Sequence, residues 1–504
     1  MNKFDKYKIP IFISLNILVL ISLFGMAYAY FKATVNNAES ASTISVESGE
    51  LTINYQGNTA NIVASGIIPG WSETKKFTLS GKNTTKTDEF HTDNNLYYKI
   101  ILAIDNNTFS EGALTYSLAK DSTSSTNGKM ADEASGTINQ SGNQIIGYGY
   151  FSETSTFVDH IYNLTISFPS TEYEQSADNG KSFAAHVTIV EGETISEYIS
   201  KLDKASNGLE EDNTPDKNIR YVGANPKNYV EFANTGELWR IIGVFNVKDS
   251  TGKVERKIKL VRNESLGAFS WDAKLNPQTN DYRGINDWTK ADLMNELNGD
   301  YLDTTLTANK NNWYNSYWDS STNKPVLRQT GVFDYTKVIK SNYQNMISES
   351  VWNIGGNSYT GSAPYTLNLL SQYNKERGTI TYQNSRPTEW TGKVGLIYAS
   401  DYGYASTLAE CHENLRAGVT YENDSWDYTN GKCKTDNWLF KNSWYWTLSP
   451  YSGTSDGVFI VRGGGAVDGS GASNSFGVFP AVFLKSDILI ASGTGEKDSP
   501  YRLG

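Results

Sequence analysis

The stretch Tyr162-Asn163-Leu164-Thr165-Ile166-Ser167-Phe168 alternates large apolar and polar side chains without a break. A strand points successive side chains to opposite faces. This segment therefore sets Tyr162, Leu164, Ile166 and Phe168 toward a core and the polar residues toward water. The same period of two runs through Leu51, Ile53 and Tyr55, through Tyr98, Ile100, Leu102 and Ile104, and through Phe183, Ala185, Val187 and Ile189. Polar stretches such as Asp121-Ser122-Thr123-Ser124-Ser125-Thr126-Asn127-Gly128 separate them and read as loops. Half-buried strands joined by polar turns, with no helical period, predict an all-β sandwich over residues 32–193.

Upstream, Lys3, Lys6 and Lys8 precede an apolar run from Ile9 to Phe31. A basic flank followed by a hydrophobic stretch is the order of a secretory signal, and Ala27-Tyr28-Ala29 offers the small residues that a signal peptidase reads. The run is also long enough to span a bilayer as a helix. Residues 1–31 are thus expected to be a signal peptide or a membrane anchor, a transmembrane helix if uncleaved. Either way the rest is translocated. The expected location is extracellular, at the cell surface, held by the N-terminal helix or secreted after cleavage near Ala29. The last residues, Ser499 to Gly504, bring no hydrophobic tail, so the N-terminal helix or a partner is expected to hold the protein on the cell.

A chain of 504 residues exceeds one ordinary core, so two or three domains are expected. The formal net charge of −11 argues against a nucleic-acid partner, because a phosphate backbone calls for a basic face. Cys411 and Cys433 are the two cysteines, and in an exported protein they are expected to form one disulfide.

Past the sandwich the period changes. Ile195, Tyr198, Ile199 and Leu202 follow helical spacing, and the polar stretch from Ala205 to Asp216 reads as a linker, so 194–217 is expected to be a short helix and linker. Residues 218–504 read as one α+β domain. Its strand signals include Leu238 to Phe245 and Ile258 to Arg262, and its helix signals are Thr289 to Leu302 and Asp334 to Ile354. Trp444-Tyr445-Trp446-Thr447-Leu448, Gly457 to Val461 and Val478 to Leu484 return to β. Trp444 and Trp446 are read as core. The segment Gly463 to Phe476 is rich in Gly, Ser and Asn and reads as a loop facing water, the kind of element on which binding surfaces vary without disturbing a core. Tyr451, Asp456, Arg462, Asp468, Asn474 and Phe476 flank or lie in it and are the candidate ligand-binding residues.

Two resemblances accompany these readings. Ala27-Tyr28-Ala29-Tyr30-Phe31, the strand Ser48 to Ile53 and Ile67-Ile68-Pro69-Gly70-Trp71-Ser72 resemble camelysin-type surface proteins of Gram-positive biofilm matrices, over about 160 residues. Some members of that family are described as metalloproteases, which would imply a zinc site. This chain has no His-Glu-x-x-His, and Arg416 stands where a second histidine would follow His412-Glu413. His91, His160 and His186 are scattered over β segments and read as surface or packing residues. The segments Trp444 to Pro450, Gly457 to Arg462 and Gly477 to Lys485, with Glu237-Leu238-Trp239-Arg240-Ile241-Ile242-Gly243 upstream, resemble C-type-lectin-like domains of the formylglycine-generating-enzyme type, over about 285 residues. Members of that group use closely spaced copper-binding cysteines, which Cys411 and Cys433 do not match. Many carry Arg before the closing Pro, where this chain has Phe479.

The expected function is an exported cell-surface binding or adhesion protein. It displays a C-type-lectin-like domain on a β-sandwich stalk, with a host or environmental glycan or protein as ligand. The alternative is a biofilm-matrix or fibre subunit that self-associates through the sandwich by strand exchange. An extracellular enzyme is the least favoured reading, since no nucleophile elbow, phosphate loop or carboxylate pair stands out. No catalytic residue, metal or cofactor is expected.

Overall fold

Phe77 lies opposite Tyr162 across two antiparallel strands, Trp71–Asn83 and Thr154–Phe168, with the rings stacked at 5.4 Å. This pair centres the first sheet of the computed structural model, which describes residues 42–46, 49–55, 61–83, 95–212, 214–355, 369–379, 386–409, 411, 431–451 and 454–504. The chain divides into two compact units, Met1–Glu193 and Thr194–Gly504. The expected N-terminal helix and the position of His91 lie outside the described residues. Among the described residues no helix is long and apolar enough to cross a membrane.

In the first unit, a six-stranded sheet runs in the order Ser42–Val46, Gly49–Tyr55, Trp71–Asn83, Thr154–Phe168, Thr115–Lys120, Ala134–Thr137. A four-stranded sheet runs Asn61–Ser65, Ser182–Glu191, Leu96–Asn107, Gly142–Phe151. Leu79, Leu164 and Ile166 of one sheet share a core with Ile100, Leu102, Val187 and Ile189 of the other. Two sheets closing one apolar layer are the sandwich that the alternation implies. His160 is fully buried between them: Tyr98 Oη is 2.6 Å from its Nδ1, and its Nε2 is 2.7 Å from the Asn127 carbonyl. Tyr162 Oη sits 2.6 Å from Tyr98 Oη and accepts from the Ala131 N–H. A neutral imidazole protonated on Nε2 satisfies this whole chain, and burial pushes its pKa down. His160 is thus a packing histidine, while His186 pairs with Asp105 at 2.9 Å.

The second unit starts with a capped helix, Ile195–Lys201. Thr194 Oγ1 accepts from the Glu197 N–H, and Glu197 returns a bond to the Thr194 N–H. Ile195 and Ile199 are buried in this unit's core. The expected linker is part of the same body: Leu209–Glu211 pairs with Ile219–Tyr221 at the edge of a seven-stranded sheet, and Leu209 and Asp212 are buried. Polarity misled there because Asp212 is polar but inward, accepting from Thr214, Asn218 and Arg220. That sheet continues through Leu238–Lys248, Val254–Arg262, Pro480–Phe483 and Val394–Leu396. A five-stranded sheet runs Ala268–Ser270, Ser475–Gly477, Tyr445–Pro450, Gly457–Val461, Val467–Gly471. The Cys411–Cys433 disulfide is formed, with Cα atoms 6.0 Å apart.

Three expectations change in detail. Over 289–302 the chain makes a 3-10 turn, Trp288–Lys290, a helix, Asp292–Asn298, and a second 3-10 turn, Asp300–Leu302. Asp287 caps the first turn, its side chain accepting from the Thr289 N–H. Over 334–354 there is no long helix: Asp334 bonds the Thr336 N–H and hydroxyl, a local alternative to helix, and Ser350–Asn353 is a strand paired with Glu389–Gly392. The Gly/Ser-rich segment is largely strand rather than loop. Val467–Gly471 pairs along the whole of Gly457–Val461, and Val467, Asp468, Ala472 and Ser473 are buried. Small residues here let the backbone lie close under an aromatic ring: a Cβ on Gly469 would meet the Tyr451 ring at 3.3 Å.

Candidate functional site

The six candidate residues divide into two groups. Arg462, at the end of its strand, forms an ion pair with Asp468, and its guanidinium lies 5.1 Å from the Trp444 ring centre. Trp444 is 43% exposed and stacks on Phe476 at 5.4 Å and 28°. Phe476 in turn packs on Trp446, which is fully buried and donates its indole N–H to the Phe269 carbonyl. An exposed indole is thus held rigid from below by a buried aromatic stack and from one side by a cation, an arrangement that suits a contact anchor. Trp446 is core as expected. Trp444 is not: it sits just before Tyr445–Pro450, after the turn residues Lys441-Asn442-Ser443, and Asn442 has a left-handed φ of 49°. That polar turn was the signal that the first Trp leaves the core.

Asp456, Asn474 and Tyr451 gather elsewhere, around Gly471 and Gly469. A Cβ on Gly471 would stand 3.5 Å from Asp456 Oδ2 and 3.8 Å from Asn474 Nδ2. Asn474 accepts from the Trp318 N–H at 2.9 Å and donates to Ser470 Oγ. Arg283 lies 5.2 Å from the Trp318 ring centre and is paired with Asp281. Burial raises the Asp456 carboxyl and Arg283 partly opposes this. Tyr451 packs edge-on against Phe459. Arg283 and Trp318 were not legible as neighbours, since they come from a different part of the chain.

A second concentration of polar groups lies on the inner side of the seven-stranded sheet. Arg220, from Ile219–Tyr221, donates from Nη1 to Asp401 at 3.0 Å and from Nε to Asp212 at 3.4 Å. Lys259, from Val254–Arg262, reaches the other Asp401 oxygen at 2.5 Å and lies within 4.0 Å of the Tyr398 ring centre. All four side chains are buried. Burial alone would raise the Asp401 carboxyl, but Lys259 and Arg220 hold it below the ordinary value. The chain Asp212, Arg220, Asp401, Lys259 is therefore two cations matched to two anions. These groups back a cavity of about 320 Å³.

Glu376, at the end of the helix Leu369–Glu376, lines that cavity and is 6% exposed. Its Oε1 accepts from Ser449 Oγ at 2.5 Å. Burial pushes its pKa up to about 7, with the Ser400 and Ser449 hydroxyls opposing.

A third acidic group is structural. Asp272 accepts from the Asp292 and Ile285 N–H groups, while Asp292 accepts from the Ala273 N–H and Arg328. Among the described residues no three of His, Cys, Asp or Glu are placed to hold a metal ion. No protein-family model, curated protein or solved structure matches the chain.

Proposed function

We propose that this is an exported cell-surface binding protein. Residues 1–31 act as signal or membrane anchor, the camelysin-like first unit is the stalk, and the C-type-lectin-like second unit carries the ligand face. The observation that carries the reading is Trp444: a large indole left in water, braced by Phe476 and Arg462 and backed by Asp468. Leaving such a ring exposed has no folding benefit, whereas rigid aromatic and arginine side chains dominate binding energetics. The ligand is a glycan or protein of the host or environment, and no catalytic role is assigned. Surface labelling of intact cells tests export. Glycan and host-protein arrays probed with the full chain and with Trp444→Ala test binding. A hit that Trp444→Ala leaves at full strength, with Arg462→Ala equally silent, refutes this face.

A further inference from the structure

Lys441, in the turn just ahead of Trp444, does not extend its amine into open water. The residue is half-buried, with the Phe479 ring centre 5.7 Å from Nζ. Nζ donates to the Asn263 main-chain carbonyl at 3.2 Å and lies 3.4 Å from Asn263 Oδ1. Asn263 directly follows the strand Val254–Arg262 and stands 178 positions earlier in the chain. The other end of its side-chain amide is engaged as well: Asn263 Nδ2 donates to Glu264 Oε1 at 2.9 Å. The amine therefore meets the carbonyl of the amide, and the carboxylate meets its nitrogen.

Both partners are held in place. Arg262 Nη1 donates to the Glu264 carbonyl at 2.8 Å, and the Asn263 N–H to the Leu238 carbonyl at 3.4 Å. On the lysine side, Tyr445 Oη donates to the Leu439 carbonyl at 2.8 Å, and the Gly477 N–H to the Trp444 carbonyl at 2.9 Å. A nucleophile fixed against a carbonyl turns a rare encounter into a standing one. An amine attacks only when neutral. Burial and then the Arg240 guanidinium push Lys441 down to about 8, with Glu264 opposing. Arg240 is itself fixed over the Tyr229 and Trp438 rings, 3.9 and 4.8 Å from their centres. About a tenth of the amine is then neutral at pH 7, against about one part in a few thousand for an ordinary lysine.

We propose that Lys441 and Asn263 join through a side-chain amide bond. Nζ attacks Asn263 Cγ and forms the new C–N bond. Glu264 takes a proton from Nζ and delivers one to Nδ2, the Cγ–Nδ2 bond breaks, and ammonia leaves. One amide replaces another, so no oxidant or co-reactant is consumed. The product ties the end of the strand Val254–Arg262 to the segment that carries Trp444. It does not depend on whether that indole binds a ligand.

The test is mass spectrometry of the full chain after reduction of Cys411–Cys433. Peptide mapping should find the Asn263 and Lys441 peptides joined, their combined mass short by one ammonia. Lys441→Arg keeps the charge but removes the nucleophile, and should give the two peptides apart at full mass. Glu264→Gln alters an exposed side chain, so it should fold, read as a cooperative melt. Without its proton carrier the bond should form about a hundredfold more slowly or worse, leaving most of the freshly made protein unlinked. A parent that stays unlinked, or an ammonia loss confined to the Asn263 peptide alone, overturns the proposal. Linkage at the parental rate in Glu264→Gln overturns the part given to Glu264.

Discussion

Arg220 and Asp401 stand 181 positions apart in the chain and meet at 3.0 Å in the interior of the second unit, with Lys259 on the other carboxylate oxygen. Asp401 also accepts from the Tyr398 N–H and so begins the helix Ala399–Tyr404. Removing its charge leaves the buried Lys259 without its anion and Arg220 with Asp212 alone. Breaking one side of a buried pair typically costs about 3–5 kcal/mol. Asp401→Asn should therefore destabilise the second unit by about that much in urea denaturation. A loss below about 1 kcal/mol would mean that water already screens the network.

The two units should respond to acid in opposite directions. In the first unit, burial depresses the His160 pKa, so the unfolded chain takes up a proton that the folded one refuses. That contribution is present above the ordinary histidine value of about 6.5 and is lost as pH falls through it. In the second unit, Glu376 is raised to about 7 and Glu296 to about 9, both chiefly by burial. Unfolded, these carboxyls ionise near their ordinary values, so stability is lost as pH rises from about 4.5 and regained on acidification. Glu376 alone should contribute about 2 kcal/mol between pH 7 and pH 5. Asp212 and Asp401 are held low and oppose this only below the ordinary carboxylate value. Of the 12 tryptophans only Trp71 precedes Thr194, so tryptophan fluorescence reports chiefly on the second unit. Its urea midpoint should rise from pH 7 to pH 5, and by less in Glu376→Gln. A midpoint that falls in both proteins contradicts the account.

The cysteine pair gives a simpler expectation. Both residues are buried, and closing the intervening loop, with a sequence separation of 22, restricts the unfolded chain. Cys433→Ser should cost about 3 kcal/mol in the chain-entropy view. Intact-mass analysis of protein from the cell surface should show no free thiol without reductant, and two free thiols would refute the assignment.

What could be read from the sequence follows from what is local. Tyr162, Leu164, Ile166 and Phe168 declare their strand because one face of it is dry and the other wet. Lys257 and Lys259 show the limit of that rule. In Val254–Arg262 they alternate with Ile258 and Leu260 and look like a solvent face, yet both lysines are buried. Their partners, Ser348 and Asp401, come from remote segments that no periodicity links to the strand. The cavity was illegible for the same reason: Arg220, Lys259, Glu376 and Ser400 converge only through the fold. At the candidate face, the sequence marked Arg462, Asp468 and Phe476 but placed their exposed neighbour Trp444 in the core.

The Gly463 to Ser475 segment offers the sharpest contrast between composition and structure. Read as a loop, it should accept an unrelated Gly/Ser linker of equal length with folding intact. The structure predicts otherwise. Val467–Gly471 supplies the edge strand beside Gly457–Val461, Val467 and Ala472 are buried, and the Ser473 carbonyl accepts from Ser270 and Ser316. A linker would forfeit that ladder, bury no Val467 or Ala472 side chain, and leave the Arg462 guanidinium without Asp468. The sum of several such losses, each about 1 kcal/mol or more, is a large share of the 5–15 kcal/mol that holds an ordinary domain. The swapped protein should show a lowered, broadened tryptophan-detected transition or none. A narrower replacement, confined to Gly463 and Gly464 and keeping Gly465, whose φ of 93° and close approach to Lys434 require glycine, should leave the transition within a few degrees of the parent. If the full swap melts like the parent, the strand contributes nothing to stability and the segment behaves as the loop its composition describes.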